Sequence, residues 1–526
     1  MIKEKISLPS PIKVDRLAYW LEGYDQNLKE YLIQGFTFGF RVGFDGELSS
    51  IVHKNHKSAN DNASAIEEYL KEEIKLNRIK GPFDHLKKPF HCAPMGVVPK
   101  SEPGKFRIIH DLSYPKGQSI NDNISQEYTA VTYQSVYDAI NMLQSLGQGS
   151  FMAKTDVSKA FRIIPLHEDD HKLFCMNWRD KFYIDQVMQM GCASSCQIFQ
   201  AFASAIQWIA QQKLEIPNVN YLDDFMLGSV SKAIGTIELE KFLDMCADIG
   251  IPMAERKTFY PDTTMTFLGL EIDTLKNEVR LPMEKVKKCI DEIQNLLDHR
   301  KTRLQKLQSV IGILNFACQV VVPGRAFLRR LINLTMGVKA PHHWINISTA
   351  HDDLSIWLSF LQNHNGKVLF LDEKTVSNHD VYLYTDASGA LGYGAIFGSQ
   401  WFYGAWSSWW CSQHIMLLEL YPIVIAMEIW GPQLQNKQIT LFTDNFGLVP
   451  VLTKHTSRDS LVMILIRRLV LCCLRNNIVL QARWIKGSKN VLADFLSRLQ
   501  IDKFKKACPW ADKVPTSVPA LPKLLD

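Results

Sequence analysis

Seven carboxylates in this 526-residue chain stand where chemistry could use them. Asp156 ends the apolar run Phe151-Met152-Ala153-Lys154-Thr155. Asp223 and Asp224 follow 67 residues on, in Tyr221-Leu222-Asp223-Asp224, between two apolar stretches that end at Gly228. The pattern predicts a tight hairpin with two adjacent carboxylates at its tip. Like charges a few ångströms apart repel unless a cation neutralises them, and Mg²⁺ prefers carboxylate oxygens. The tetrapeptide alone reads equally as an ordinary Asp-Asp turn. With Asp156 it becomes a three-carboxylate set suited to two-metal nucleotidyl transfer, in which one ion activates a primer 3′-hydroxyl and the other steadies the leaving pyrophosphate.

A second set comprises Asp386, Glu419, Asp444 and Asp494, spaced by 33, 25 and 50 residues. Asp386 and Asp444 end strand-like runs, Glu419 lies on an apolar helical run and Asp494 opens a short one. Four such carboxylates can bind two Mg²⁺. Singly, Asp386 could be a strand-end turn and Thr443-Asp444-Asn445 an Asx turn. Asp386-Ala387-Ser388-Gly389 is not an aspartic protease signature, because a residue separates the Asp from Ser-Gly.

The positioning elements follow from hydrophobic periodicity. Val14–Tyr31 and Ser64–Lys75 read as helices, with 55–62 a polar linker. Pro82–Pro103 is extended, and Lys105–Leu112 alternates as a strand. Ile163–Leu166 reads as strand, 174–187 as a hairpin over Arg179-Asp180-Lys181, and Cys196–Gln212 as a long helix. Ile237–Gly250 is helical, with Gly250 as its stop, and Thr264–Ile272 is a strand pair. Pro282–Thr335 is helical with one break at Pro323-Gly324. Between 280 and 339 twelve Lys/Arg face four Asp/Glu. That surplus reads as a solvated face, or beside a metal site as a phosphate-binding surface. Pro341–Leu371 reads as a helical connector. A strand-rich unit begins at 381–384, and Pro509–Asp526 is expected to be extended or disordered. Gly35–Gly46, with Phe36, Phe38, Phe40 and Phe44, is expected to pack on a neighbouring core, on the fingers or against a partner.

Length implies three or more structural units. The net charge of +5 permits a nucleic-acid partner without demanding one. The 11 cysteines complete no zinc set and read as reduced thiols of an intracellular protein, in cytoplasm or nucleus. No signal peptide is recognised, and no apolar run reaches membrane length, so no membrane partner is expected. The best candidate, Leu461–Leu474, carries Arg467 and Arg468 at its centre.

Five runs carry a family resemblance. They are Phe106-Arg107-Ile108-Ile109-His110-Asp111-Leu112-Ser113-Tyr114-Pro115, Thr155-Asp156-Val157-Ser158-Lys159-Ala160-Phe161, Tyr221-Leu222-Asp223-Asp224-Phe225, Thr266-Phe267-Leu268-Gly269-Leu270-Glu271-Ile272 and Val322-Pro323-Gly324-Arg325-Ala326-Phe327-Leu328-Arg329-Arg330-Leu331. The chain resembles reverse transcriptases over roughly 10–500, and the last run resembles the branch of DIRS-like tyrosine-recombinase retrotransposons. The resemblance implies that Asp156, Val157, Asp223 and Asp224 bind the polymerase metals. It implies that Lys100, Arg107, Asp111, Phe161 and Gly191 shape a dNTP pocket, with Phe161 as the steric gate against a ribose 2′-OH. A core Phe is the other reading of Phe161. Phe267, Leu268 and Gly269 resemble the primer grip. Met190 departs from the family, standing where a Gln is usual, and Ser195-Cys196 replaces Ser-Pro; Gly191 is therefore kept as a backbone contact only. The order of Asp386, Glu419, Asp444 and Asp494 resembles the ribonuclease H domain of retroelements, with Lys486 and Lys489, not a histidine, near the last Asp.

The implied fold is an α/β (α+β) multidomain chain: a right-hand polymerase plus connection and ribonuclease H-like domain. Its expected segments are an N-terminal helical extension (1–80), fingers and palm (81–280), thumb (281–338), connection (339–378), ribonuclease H domain (379–500) and tail (501–526). The implied cofactor is Mg²⁺, two ions per site, with Mn²⁺ as a substitute. The implied partners are an RNA template, DNA primer, RNA–DNA hybrid, dNTPs and a separate tyrosine recombinase. A non-catalytic nucleic-acid scaffold and a pararetrovirus-type polymerase are the other readings.

Overall fold

Near-continuous apolar runs, not clean alternation, mark strands buried on both faces. Phe151–Asp156 and Asp224–Ser229 have this character, and they are the central pair of a four-stranded antiparallel sheet. Its order is Phe259–Asp262, Phe151–Asp156, Asp224–Ser229, Asn218–Tyr221. The computed structural model describes residues 8–100, 104–363, 367–368, 376–377, 383–435, 437–476 and 478–519. It divides into two units, Met1–Asn277 and Glu278–Asp526. The start of the expected strand at 381–384, parts of the 339–378 connector and the tail beyond 519 lie outside the described residues.

In the first unit, helices Ser195–Lys213 and Lys232–Ile249 share one core with the four-stranded sheet. The 12–48 stretch belongs to that same core. Phe36 packs edge-on against Phe202 at 4.9 Å, and Phe40 exchanges backbone bonds with Pro165 and His167. Arg16 and Trp20 both bond Asp248. The Phe-Gly stretch therefore packs on the 166 segment and the 195–213 helix. A second core joins helix Ala63–Lys75 to the hairpin Met95–Pro99 with Phe106–His110 and to a five-stranded sheet.

Several boundaries differ from the sequence expectations. Val14–Tyr31 is two helices, Val14–Trp20 and Gln26–Phe38. The polar linker contains a short helix, Lys57–Asp61, whose Ala59 is buried. The expected strand over 163–166 is a 3₁₀ turn, Ala160–Ile163, followed by isolated bridges to Phe40 and Val187.

In the second unit, the helical run from 282 has an extra break. Helices Met283–Leu297 and Leu304–Ala317 flank a strand, Lys301–Arg303, that pairs antiparallel with Trp344–Asn346. Helix His351–Asn363 follows. Its buried Asp353 meets Arg330 at 3.2 Å and Arg467 at 3.5 Å. Further on, Leu383–Ala387, Gly392–Phe397 and Gln400–Ala405 form an antiparallel sheet, while Gln438–Thr443 and Val479–Trp484 pair in parallel. Helix Ile415–Trp430 is apolar all round and largely buried, against the 383–387 strand and helix Ser460–Arg475. Together with its 3₁₀ extension to Leu434 it is, by length and composition, long and apolar enough to cross a membrane, although Glu419 and Glu428 interrupt the run, and it replaces Leu461–Leu474 as the best candidate. Its burial and Glu419 mark it as the core helix of this unit. The proline-rich tail is not free as far as it is described. Asp512 and Thr516 donate backbone bonds to Ser399 and Trp401, and Trp401 Nε1 donates to the Asp512 carbonyl.

Gly39 tests whether the N-terminal stretch is part of the first core. Its φ is +91°, and a Cβ there would lie 2.4 Å from backbone atoms of Leu166 and His167. Gly39→Ala is expected to cost about 1–3 kcal/mol, read as a lower thermal midpoint. An unchanged midpoint would show that the 12–48 stretch docks only loosely.

Candidate metal centres

Antiparallel register does for the first carboxylates what sequence distance hides. Asp224 is the direct cross-strand partner of Asp156, and Asp223 lies in the turn from Asn218–Tyr221. Residues opposite each other in such a ladder have Cβ atoms about 4.5–5.5 Å apart. Leu222 takes a left-handed φ of +52° to make the turn, and its N–H is held by Gln200 Oε1 at 3.1 Å. Val157 N–H donates to the Asp223 carbonyl at 2.9 Å, so both chain segments are fixed. The buried, apolar Val157 side chain leaves only its backbone carbonyl as a ligand.

The electrostatics show carboxylates in need of positive charge. Burial, then the neighbouring Asp156, raises the pKa of Asp223. Burial also raises that of Asp224, opposed by Lys154. Lys154 Nζ sits 2.9 Å from Asp224, and Lys257 Nζ sits 2.9 Å from Asp156. Asp224 Oδ1 is buried with no hydrogen-bond partner. An orphaned carboxylate oxygen beside two more carboxylates fits a divalent cation. The sequence reading missed both lysines. Lys154 had a signal, since residues i and i+2 of a strand share a face with Asp156. Lys257 comes from a 3₁₀ turn, Glu255–Lys257, and had none.

Around this centre the expected nucleotide residues are partly gathered. Arg107 lies in the hairpin strand Phe106–His110, and its Nη1 reaches Met190 Sδ at 3.9 Å. A Cβ on Gly191 would lie 2.6 Å from the His110 carbonyl, and the Gly191 carbonyl accepts from Asn121 Nδ2 at 2.9 Å. Met190, at the position of departure from the family, is 61% exposed. Lys100 has an exposed side chain, and its N–H bonds Lys105 across the hairpin. Asp111 turns to His56, 3.0 Å away, and not to Lys100 or Arg107. Phe161 is half-buried, edge-on to Phe199 at 5.5 Å, so one side of the ring is committed to the core. Phe267 is fully buried, and Leu268-Gly269, both at positive φ, form the two-residue turn between Thr264–Phe267 and Leu270–Asp273.

The second set converges more tightly. Asp386 in Leu383–Ala387, Glu419 in the core helix and Asp444 just after Gln438–Thr443 offer ligand atoms all within 4.8 Å of one another. Burial pushes the Asp386 pKa up to about 6, although Ser497 Oγ donates to it. Burial, with Asp386 and Asp444 adding repulsion, pushes Glu419 up to about 9. Such a group holds protons until a cation replaces them, so this site too fits a metal. Asp494 is not drawn into the cluster. Arg498 Nε, one helical turn on, donates to it at 2.7 Å. Asn490, just before the Asp494 helix, donates to the Thr385 carbonyl at 2.8 Å and ties that helix to the strand carrying Asp386.

The raised Glu419 pKa has a signed consequence. The folded chain holds this proton to about pH 9, whereas the ordinary value is 4.5. The metal-free fold therefore loses stability as pH rises from about 4.5 to about 9. Thermal midpoints in EDTA across that range should fall, Glu419→Gln should flatten the fall, and Mg²⁺ should oppose it. A midpoint independent of pH would refute the crowded, protonated cluster.

Residues 98–272 match the family model described as reverse transcriptase (RNA-dependent DNA polymerase). Across 266 residues the chain is 25% identical to the Pro-Pol polyprotein of feline foamy virus, covering 50% of this chain and 20% of the polyprotein. Over 237 residues it is 22% identical to the enzymatic polyprotein of cauliflower mosaic virus, strain NY8153, covering 44% of this chain and 33% of that one. The chain thus spans a fifth to a third of these relatives. Among solved structures, a foamy viral protease-reverse transcriptase in complex with double-stranded DNA aligns with TM-score 0.52 and 17% identity, over 92% of this chain and 84% of that one. The same type of protein in complex with an RNA/DNA hybrid aligns with TM-score 0.51 and 16% identity, over 89% and 62%. The fold is therefore a mixed α/β multidomain one matching those structures, and the segment that holds Asp156, Asp223 and Asp224 is related to reverse transcriptases of retroviral and pararetroviral type.

Proposed function

We propose that the chain is an RNA-directed DNA polymerase that also cleaves the RNA strand of an RNA–DNA hybrid. The observation that carries the polymerase reading is the register pairing of Asp156 with Asp224, beside Asp223, inside the stretch that matches the reverse transcriptase model. Asp156, Asp223, Asp224 and the Val157 carbonyl would hold the metal of the polymerase site. Asp386, Glu419 and Asp444 would hold that of the nuclease site, with Asp494 joining after release from Arg498. Mg²⁺, or Mn²⁺ in its place, supplies Lewis-acid activation of the attacking oxygen and neutralises charge on the phosphate.

The chain's own residues do the rest. Lys100 and Arg107 bind the triphosphate, where cationic groups stabilise charge that grows in the transition state. Phe161 excludes a ribose 2′-OH, and the turn at Leu268-Gly269 supports the primer strand. Before substrate arrives, Lys154 and Lys257 hold the acidic centre together. The basic helices of 281–338 act as the thumb, tracking phosphates. Hybrid recognition at the second site rests on 2′-OH groups and duplex shape. The likeness to foamy viral structures carrying DNA and RNA/DNA duplexes supports these ligands. The run 322–331 supports an origin among DIRS-like elements, in which a separate tyrosine recombinase would integrate the product.

Incorporation of dNTPs on a primed RNA template tests the reading. Asp223→Asn or Asp224→Asn should lower incorporation on the order of 100-fold or more. Asp386→Asn should abolish cleavage of hybrid RNA and leave incorporation in place. No incorporation by the wild type with Mg²⁺ or Mn²⁺ overturns the polymerase assignment. Hybrid cleavage that survives Asp386→Asn overturns the nuclease assignment alone.

A further inference from the structure

A heavily charged buried cluster in the first unit lies outside both metal centres. Glu73 on helix Ala63–Lys75 and Asp185 at the end of Lys181–Asp185 have side chains 3% and 0% exposed. Between them sits Arg162, the residue after Phe161. Its Nε and Nη2 both donate to Glu73 Oε2, at 3.0 and 2.7 Å, and its Nη1 donates to Asp185 Oδ2 at 2.6 Å. Arg78 and Lys159 approach Glu73 from other sides, at 3.6 and 3.5 Å. Burial works against the Glu73 carboxylate, yet Arg162 and its cationic neighbours outweigh it and hold its pKa below the usual range.

Apolar side chains of similar volume would fill such a position at no loss of stability, so a buried ionic cluster is weak evidence for a stabilising role. What a guanidinium adds is direction. Its planar fork fixes the angle and distance between the two carboxylates it joins. Here those carboxylates belong to the Ala63–Lys75 helix and to the segment leading to Met190. Asp185 Oδ2 also accepts from Gln189 Nε2 at 2.9 Å, and Oδ1 accepts from Val187 N–H at 3.3 Å. The Gln189 carbonyl in turn accepts from Ser195 Oγ at 2.6 Å. The chain thus leaves the cluster along two branches. One goes directly to Phe161, the other through Gln189 to Met190 and Gly191.

We propose that the Glu73–Arg162–Asp185 cluster positions the two walls of the nucleotide pocket, Phe161 and Met190-Gly191, and thereby sets discrimination against ribonucleotides. This rests on the polymerase reading. It gives the Ala63–Lys75 helix, which touches no reacting group, a role in substrate choice. These three are positioning residues: loosening the clamp lets Phe161 drift from the place a 2′-OH would occupy, without altering the metal carboxylates.

The test is steady-state incorporation of a dNTP and the matching rNTP on one primed RNA template. Glu73→Gln keeps an acceptor but removes the charge, and Arg162→Lys keeps the charge but removes the fork. For each, the dNTP KM should rise and the dNTP/rNTP ratio of kcat/KM should fall, both about tenfold, with kcat for dNTP within about threefold. A general loss of structure would instead lower kcat for both nucleotides and leave the ratio unchanged. If neither single variant folds by circular dichroism, the Glu73→Gln/Arg162→Met/Asp185→Asn triple variant, which removes all three charges of the clamp, is read the same way. Folded variants with the wild-type ratio overturn the proposal while the polymerase reading stands. A wild type that incorporates no dNTP overturns the polymerase reading, and this proposal with it.

Discussion

Two aspartates face each other across an antiparallel ladder, and a third adjoins them in the turn. That arrangement is unfavourable by itself, because like charges opposite one another in a sheet repel and burial withholds water from them. The first unit is built so that it persists. The strands are central, the turn is pinned by Gln200 and Val157, and two lysines supply the missing charge. A site held this way is preorganised. Its ligands stand in place before any cation or substrate arrives, and the lysines are the counter-charge that yields.

The second cluster meets the same repulsion by another route. Ser497 donates to Asp386, and burial drives Asp386 and Glu419 toward their neutral forms. One centre is thus offset by internal cations, whereas in the other burial favours the neutral forms of Asp386 and Glu419. The difference follows from surroundings. Lys154 comes from the central strand that carries Asp156 and Lys257 from the adjoining 3₁₀ turn, whereas Glu419 projects from a helix whose surface is mostly apolar and buried.

What could be read from the sequence was whatever has a local cause. Asp-Asp after an apolar strand, the strand ending at Asp156 and the helix after Ser194 each carry their own pattern, and the structure has these elements. Asp386, Glu419 and Asp444 fall together as their spacing suggested, but Asp494 is held aside by Arg498, a pairing one helical turn away that the motif did not weigh. Elements made by non-local bonds were misread. The strand Lys301–Arg303 exists because Trp344–Asn346 pairs with it, and 163–166 is shortened by the 3₁₀ turn Ala160–Ile163 to isolated bridges with Phe40 and Val187. The buried partners Glu73 and Asp185 left no trace, since a charged residue on a helix or strand is ordinarily a solvated one.

The docked tail bears on a different matter. Among the described residues Gln400–Ala405 is the last strand of its sheet, and such an edge presents unpaired backbone groups to any passing chain. The Ser399 and Trp401 carbonyls are already taken by Asp512 and Thr516. A proline-rich segment is well suited to this, for it can cover an edge without becoming a regular strand that recruits another. The segment around Asp512 and Thr516 thus covers part of this edge, so removing it would uncover backbone groups that can template association even though no metal ligand is touched.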